Sequence, residues 1–258
     1  MKTNIDYTTE FYEKIKPEYA AFNDRLPEYW HMTYHDRWQT MRYQGLPING
    51  PQLLDIGAGM GRAMKYFEDF GFVVLGVEPS GLAISKSPVK DKIMEGYFED
   101  TYFTPNTFDV LYIEQVLSHA PRYKEILKKA YSIAKPGAFL IVEEPNDGND
   151  LQGEIVHQGL ARPDYWKCED HVNYGGHAFW ESAIKEAGFT IHSSQATWPM
   201  EFFELAGDHY LGDDILGPLV HEKRYKMLSA LTFTQRTILS ECFAKIGIGR
   251  DVLIYARK

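Results

Sequence analysis

The chain has almost no cysteine. Cys168 and Cys242 are the two it carries. They are far apart and lack metal-ligand spacing, so both are read as reduced thiols, with neither a disulfide scaffold nor a cysteine-held metal. No apolar run is long enough to span a bilayer, and Met1-Lys2-Thr3-Asn4 opens no secretory signal. A soluble, cytoplasmic protein is expected. No Lys/Arg block is present and the formal net charge is −9. Nucleic acid is therefore not expected as a partner, since phosphate contacts dominate that binding. Internal repeats and low-complexity segments are absent, and 258 residues are enough for one domain with an elaboration. Two nucleotide motifs are also missing. Counting a G-x-G-x-x-G fingerprint from Gly57 puts its third glycine on Arg62, and no Lys followed by Ser or Thr closes a P-loop.

What is present is a buried strand that breaks into glycines: Leu53-Leu54-Asp55-Ile56-Gly57-Ala58-Gly59-Met60-Gly61. A glycine has no Cβ, so a ligand can lie directly against such a turn. A second strand, Val73 to Val77, ends in Glu78. An acid there can accept hydrogen bonds from both hydroxyls of a ribose. Asp55, just before the glycines, suits a ligand bearing positive charge and an ammonium group rather than phosphates.

Strands and helices alternate along the middle of the chain. Strands are expected at 52–56, 72–77, near Ile93 and Met94, at 108–113, 138–142 and 189–194. Helices are expected at 62–70, 81–87 behind a Ser80 cap, 123–134 and 177–187; Pro136-Gly137 ends the third of these and Gly188 the last. Alternation of this kind implies a parallel sheet with right-handed crossovers. Before it lies a mostly helical, aromatic-rich segment with Tyr12, Tyr19, Tyr29, Trp30, Tyr34 and Trp38, interrupted by Pro17 and Pro27. Two readings of it stay open, a cover over the cofactor and a packing helix pair. Between Thr197 and Gly249 runs more chain than a hairpin needs, with helical patterns at 200–205 and 233–246. It is read as a lid, a homodimer surface, or both.

The run Asp55-Ile56-Gly57-Ala58-Gly59-Met60-Gly61 resembles the first motif of class I S-adenosylmethionine (SAM) dependent methyltransferases. Gly76-Val77-Glu78-Pro79-Ser80, Gly96-Tyr97-Phe98-Glu99-Asp100, Phe108 to His119 and Ala134-Lys135-Pro136-Gly137-Ala138 resemble the later motifs, in order, over roughly 52–197. Gln115 and Ala138 stand where an acid and a second glycine are common. The resemblance implies an α/β fold: a doubly wound, seven-stranded, mostly parallel Rossmann-like sheet whose last strand runs antiparallel at the edge. It implies one methyltransferase domain over 1–258, divided into an N-terminal helical cap (1–48), a SAM-binding core (49–197), a helical insertion (198–249) and a final edge strand (250–258).

The resemblance also implies roles. Asp55, Gly57, Ala58 and Gly59 would line the methionine part of SAM. Glu78, with Pro79 beside it, would bind the ribose. Glu99 or Asp100 would face the adenine amino group, with Tyr97 or Phe98 near the ring, and Gln115 and Val116 would form a wall. Methyl transfer to a small-molecule acceptor is expected, at an oxygen in preference to a nitrogen, with both open, on a sugar or another cell-surface or secondary metabolite. A fold that binds without turnover and a nucleotide-dependent oxidoreductase are the alternatives, and Arg62 argues against the second.

The acceptor belongs beyond the carboxyl ends of the strands. His119, Glu143, Glu144, Asn146 and Asp147 are candidates there. The loop Glu169-Asp170-His171-Val172-Asn173-Tyr174 resembles a segment that borders the acceptor in related enzymes. It makes His171 the candidate base and Tyr174 an orienting hydroxyl, against a plain loop histidine bonded to backbone. His119 is expected to support its turn. The acids after the fifth strand are read as a solvated edge, with no metal. Glu204, Asp208, His209, His221, Glu222 and Arg224 have two readings, a polar cluster touching substrate from the lid and, in preference to it, surface charge.

Overall fold

The computed structural model describes residues 26–46, 49–168, 170–213 and 215–258. The expectations for Tyr12, Pro17, Tyr19 and Glu169 lie outside the described residues.

Helix α1 (Pro27–Tyr43) carries its proline at the start, where a missing N–H costs nothing. The core follows as β1 (Gln52–Ile56), α2 (Arg62–Asp69), β2 (Val73–Glu78), α3 (Gly81–Ser85), β3 (Ile93–Glu95), β4 (Phe108–Glu114), α4 (Tyr123–Ile133), β5 (Ala134–Pro145), α5 (Asp150–His157), α6 (His177–Glu186) and β6 (Thr190–Ala196). The insertion supplies α7 (Glu201–Leu205), α8 (Leu216–Ser229) and α9 (Phe233–Lys245), and β7 (Asp251–Arg257) closes the chain. Ser80 caps α3 as expected, its hydroxyl accepting from Ala83 N–H. No described helix is long and apolar enough to cross a membrane.

The sheet order is β3-β2-β1-β4-β5-β7-β6. All pairings from β3 to β5 are parallel, and β7 runs antiparallel to both neighbours. The period of two sorts each central strand onto two cores. Leu54, Leu111, Ile113 and Leu140 pack with α4 and Trp180 on one face. Leu53, Val110, Tyr112 and Ile141 pack on the other with Phe67, Tyr34 and Met41.

Three expectations are corrected. The last strand is antiparallel but not at the edge: β6 takes that place, and β7, hydrogen-bonded on both sides, is buried along nearly its whole length. Pro136-Gly137 does not separate helix from strand, because β5 already begins at Ala134. Gly137 takes a left-handed φ of +78°, and the register against β4 is irregular there, between the Phe108↔Ala134 and Val110↔Phe139 pairs. Glu143 and Glu144 are not a solvated edge either; both are buried.

Glu144 shapes the turn after β4. Its Oε1 accepts from Val116 N–H at 2.9 Å and Leu117 N–H at 2.6 Å, and its Oε2 from Ser118 N–H at 3.0 Å. Burial pushes its carboxyl up to about 7, with these donors pulling the other way. Glu144→Ala would leave three N–H groups without their acceptor, at roughly 1–3 kcal/mol for a buried donor left unsatisfied. Urea unfolding should show a loss of at least about 2 kcal/mol; an unchanged midpoint would contradict this role.

Candidate functional site

The glycine turn follows β1 directly. Gly57 and Ala58 donate their N–H groups to Val77 O at 2.8 and 3.0 Å, which ties the turn to the end of β2. Gly57, Gly59 and Gly61 have φ of +75°, +54° and +71°, a region that disfavours side chains. A Cβ on Gly57 would collide with the Val116 side chain, so these two residues form a narrow wall between the turn and the end of β4.

Glu78 reaches this bend. Its Oε2 accepts from Gly59 N–H and its Oε1 from Ser80 N–H, both at 2.9 Å. Burial raises its carboxyl pKa, and the two N–H groups oppose the rise. Asp55 is buried at the base of the turn. Burial first, then the neighbouring Glu114 and Glu78, push its carboxyl well above the usual range. Acids crowded around an open backbone favour a cation and disfavour phosphate. Side-chain-free backbone, a carboxylate at the bend and a second buried carboxyl at its base fit a sulfonium amino acid joined to a ribose.

The expected adenine side is less open. Glu99 and Asp100 sit in a 3-10 turn and both meet Arg122, at 3.4 and 3.2 Å. Phe98 is buried in the core, whereas Tyr97 is exposed. Gln115 adopts a left-handed φ of +57° and donates its amide to Asp251 Oδ1 at 3.0 Å, so it faces β7.

Helix α1 bolts onto the carboxyl end of the sheet. Tyr34 donates its hydroxyl to Glu114 at 2.9 Å, and Arg62 Nε donates to that hydroxyl at 3.1 Å. Arg37, buried over the Tyr34 and Tyr112 rings, pairs with Glu143 and stands 3.5 Å from Glu114. Burial works against the Arg37 charge, yet the two carboxylates outweigh it and keep the guanidinium protonated. Arg62 stacks on Trp30, 3.6 Å from the ring centroid. Sequence reasoning gave no role to Arg37; a lone arginine in an aromatic run carries no signal of what lies opposite.

The loop of His171 is docked on the turn after β4. Val172 and Asn173 donate their N–H groups to Ser118 O at 2.8 and 3.0 Å, and the Asn173 amide reaches Leu117 O and Ala120 O, both at 2.8 Å. The His171 ring meets His119 edge-on with centroids 4.6 Å apart. His119 Nδ1 lies 3.2 Å from the Asp170 carbonyl and 3.6 Å from its carboxylate. His119, Asp170 and His171 thus offer ligand or proton-accepting atoms all within 4.8 Å of one another. His119 belongs with His171, which its sequence position alone did not disclose. The Tyr174 hydroxyl is instead engaged with the Cys168 carbonyl, at 2.6 Å.

The remaining candidates separate. Asn146 holds backbone, its amide donating to Gly247 O and Gly249 O at 3.1 Å each. Asp147 is half-buried, and burial pushes its carboxyl up to about 7 against the Gly175 N–H. In the insertion, Glu204 and Arg224 are buried, which corrects the reading of that cluster as surface charge.

Comparison with known proteins gives the family and the fold. A family model described as a methyltransferase domain matches residues 26–194, more than half of the chain. Sterol methyltransferase-like 3 of Botryococcus braunii is 25% identical over 210 residues, covering 73% of this chain and 48% of that protein. A sterol 24-C-methyltransferase of Saccharomyces cerevisiae is 29% identical over 161 residues, covering 57% of this chain and 41% of that one. The chain spans about half the length of the curated relatives it matches. The crystal structure of a SAM-dependent methyltransferase from Archaeoglobus fulgidus superposes with a TM-score of 0.58 at 16% identity, covering 93% of this chain and 99% of the other. At that identity the likeness is one of fold.

Asp147 predicts a pH dependence. A carboxyl raised to about 7 when folded, from 3.8, binds an extra proton between those values. Its contribution to stability is full below the lower value and is lost as pH rises through the upper one. Unfolding measured at pH 5 and pH 8 should show a smaller difference for Asp147→Asn than for wild type; equal differences would refute the shift.

Proposed function

The chain belongs to the class I SAM-dependent methyltransferase family, and from that premise we propose that it methylates a small-molecule acceptor in the crevice between the carboxyl edge of the sheet, α1 and the helical insertion. The single observation that carries this reading is the Glu78 carboxylate at 2.9 Å from Gly59 N–H, on the bend where the glycines leave the backbone bare.

In this reading Gly57, Ala58 and Gly59 admit the amino-acid end of SAM. Asp55 faces its ammonium group, and Val116 closes the wall beyond. Glu78 exchanges its backbone donors for the ribose hydroxyls, with Pro79 holding the strand end. Glu99 and Asp100 border the adenine. When bound, SAM supplies a methyl group on a sulfonium, open to in-line displacement by a nucleophile of the acceptor. His171 takes the proton of an acceptor oxygen, or of a nitrogen, as the nucleophile attacks. His119 supports the His171 ring from its edge, and Asp170 orients His119 in turn. Tyr174 keeps the loop closed through Cys168.

The acceptor is read as a sugar or another small metabolite with a proton to lose. A carbon acceptor of sterol type is the second reading, supported by the printed names of the relatives at 25% and 29% identity. An oxidoreductase is disfavoured because Arg62 fills the third glycine position of the dinucleotide fingerprint.

Calorimetry should detect binding of SAM and S-adenosylhomocysteine, and Glu78→Ala should weaken both by about tenfold to a hundredfold, as expected for losing charge-assisted hydrogen bonds. No heat with either ligand would overturn the assignment. With a labelled methyl donor and pooled metabolites, His171→Ala should slow transfer by roughly 10²–10⁴ while S-adenosylhomocysteine affinity holds. An unchanged rate would remove His171 as the base.

A further inference from the structure

Two arginines, Arg224 and Arg250, make no ion pair with a carboxylate among the described residues. Arg224 on α8 is 5% exposed and lies over Tyr29, its Cζ 4.6 Å from the ring centroid. Its Nε is buried with no hydrogen-bond partner, and among the described residues no ion pair holds it. Arg250, just before β7, remains accessible and approaches His221 Nε2 at 3.5 Å; no ion pair among the described residues holds it either. The register Pro145↔Asp251 places Arg250 beside the carboxyl end of β5, and Tyr29 belongs to α1, so these groups stand where sheet, cover and insertion meet.

The nearby acids are committed elsewhere. Asp251 accepts from Gln115 at 3.0 Å and from Thr197 at 2.8 Å. Glu204 accepts from Tyr210 and Leu211 N–H at 2.8 Å each. His221 does not add to the positive charge, because burial, then Arg224 and Arg250, push it down to about 3. Glu201, near enough to act on the Arg250 charge, accepts from the Tyr165 hydroxyl at 3.1 Å on one oxygen, while the other is buried without a partner among the described residues.

A buried guanidinium that no carboxylate contacts directly among the described residues is costly, since Asp251 and Glu143 act on it only from a distance, and a built receptor for an anion explains it. Its planar fork matches a carboxylate or a phosphate. We propose that Arg224 and Arg250 bind an anionic group, carboxylate or phosphate, carried by the methyl acceptor, with Tyr29 as the wall and Glu201 taking a hydroxyl or ammonium donor of the same molecule. The proposal rests on the methyltransferase reading for the word acceptor, and it separates this chain from enzymes whose acceptors are uncharged.

The test uses the whole protein in anion-poor buffer, melted with rising inorganic phosphate or acetate, against sodium chloride at matched ionic strength. S-adenosylhomocysteine binding is measured in parallel. Wild type should gain melting temperature saturably with at least one of the two anions. Arg224→Met should melt at or above wild type without anion and lose that gain, with S-adenosylhomocysteine affinity within twofold of wild type. Arg250→Gln, at an accessible position, should weaken the anion response at least tenfold. A wild type that responds to neither anion beyond the salt control, or an Arg224→Met variant that responds as wild type does, overturns the proposal. Loss of S-adenosylhomocysteine binding in wild type would overturn the methyltransferase reading and leave the anion result to stand by itself. A labelled product that passes an anion exchanger unretained at neutral pH would sink the proposal while the methyltransferase reading held.

Discussion

Five carboxylates converge on the carboxyl edge of one sheet, and each buried negative charge has to be answered there. Asp55 lies one residue before the end of β1, Glu78 ends β2, Glu114 ends β4, and Glu143 and Glu144 lie near the end of β5. The answers differ. Glu144 takes three N–H groups and fixes the turn after β4. Glu114 and Glu143 take Arg37, with Tyr34 and Arg62 adding to Glu114. Glu78 takes two N–H groups of the turn itself. Burial first, then Glu114 and Glu78, raise the Asp55 carboxyl, and Arg62 and Arg37 oppose the rise. A cation at the bend would favour the ionised form of Asp55.

The same charges explain the cover. Stacking alone would let α1 slide across α2, since the rings of Trp30, Tyr34 and Phe67 are tolerant partners. An ion pair between Arg37 and Glu143 is not tolerant, because moving either group strands a buried charge. So α1 holds one register over the sheet, and Tyr29, five residues before Tyr34, comes to lie under Arg224 of α8. Helix α1 packs on the sheet through these contacts, and both readings of the segment, packing helix and cover, remain compatible with that packing.

Much of the core was legible in the chain. The turn 57–61, the acid of β2, the Ser80 cap and the alternation of strands follow from glycine's freedom, hydrogen-bond chemistry and periods of 2 and 3.6. The capping box of Asn149 and Gln152 was also there to be read, and α5 behind it went unnoticed. Acids after a strand look alike whether they face water or lie beneath a helix, so Glu143 and Glu144 were misjudged. The same holds for Arg224, whose burial depends on α1 and α8 coming together. His119 and His171 are 52 positions apart in the chain, and only the docking of one loop on another joins them.

What the sequence determined by itself is the glycine bend, the carboxylate facing it and the order of strands that carries both, because these depend on neighbours within a few residues. The tertiary structure alone decided which charges are buried, which cation answers which acid, and that β7 lies inside the sheet rather than at its edge. Burial and ion pairing are properties of what lies opposite in space, and no local pattern records that.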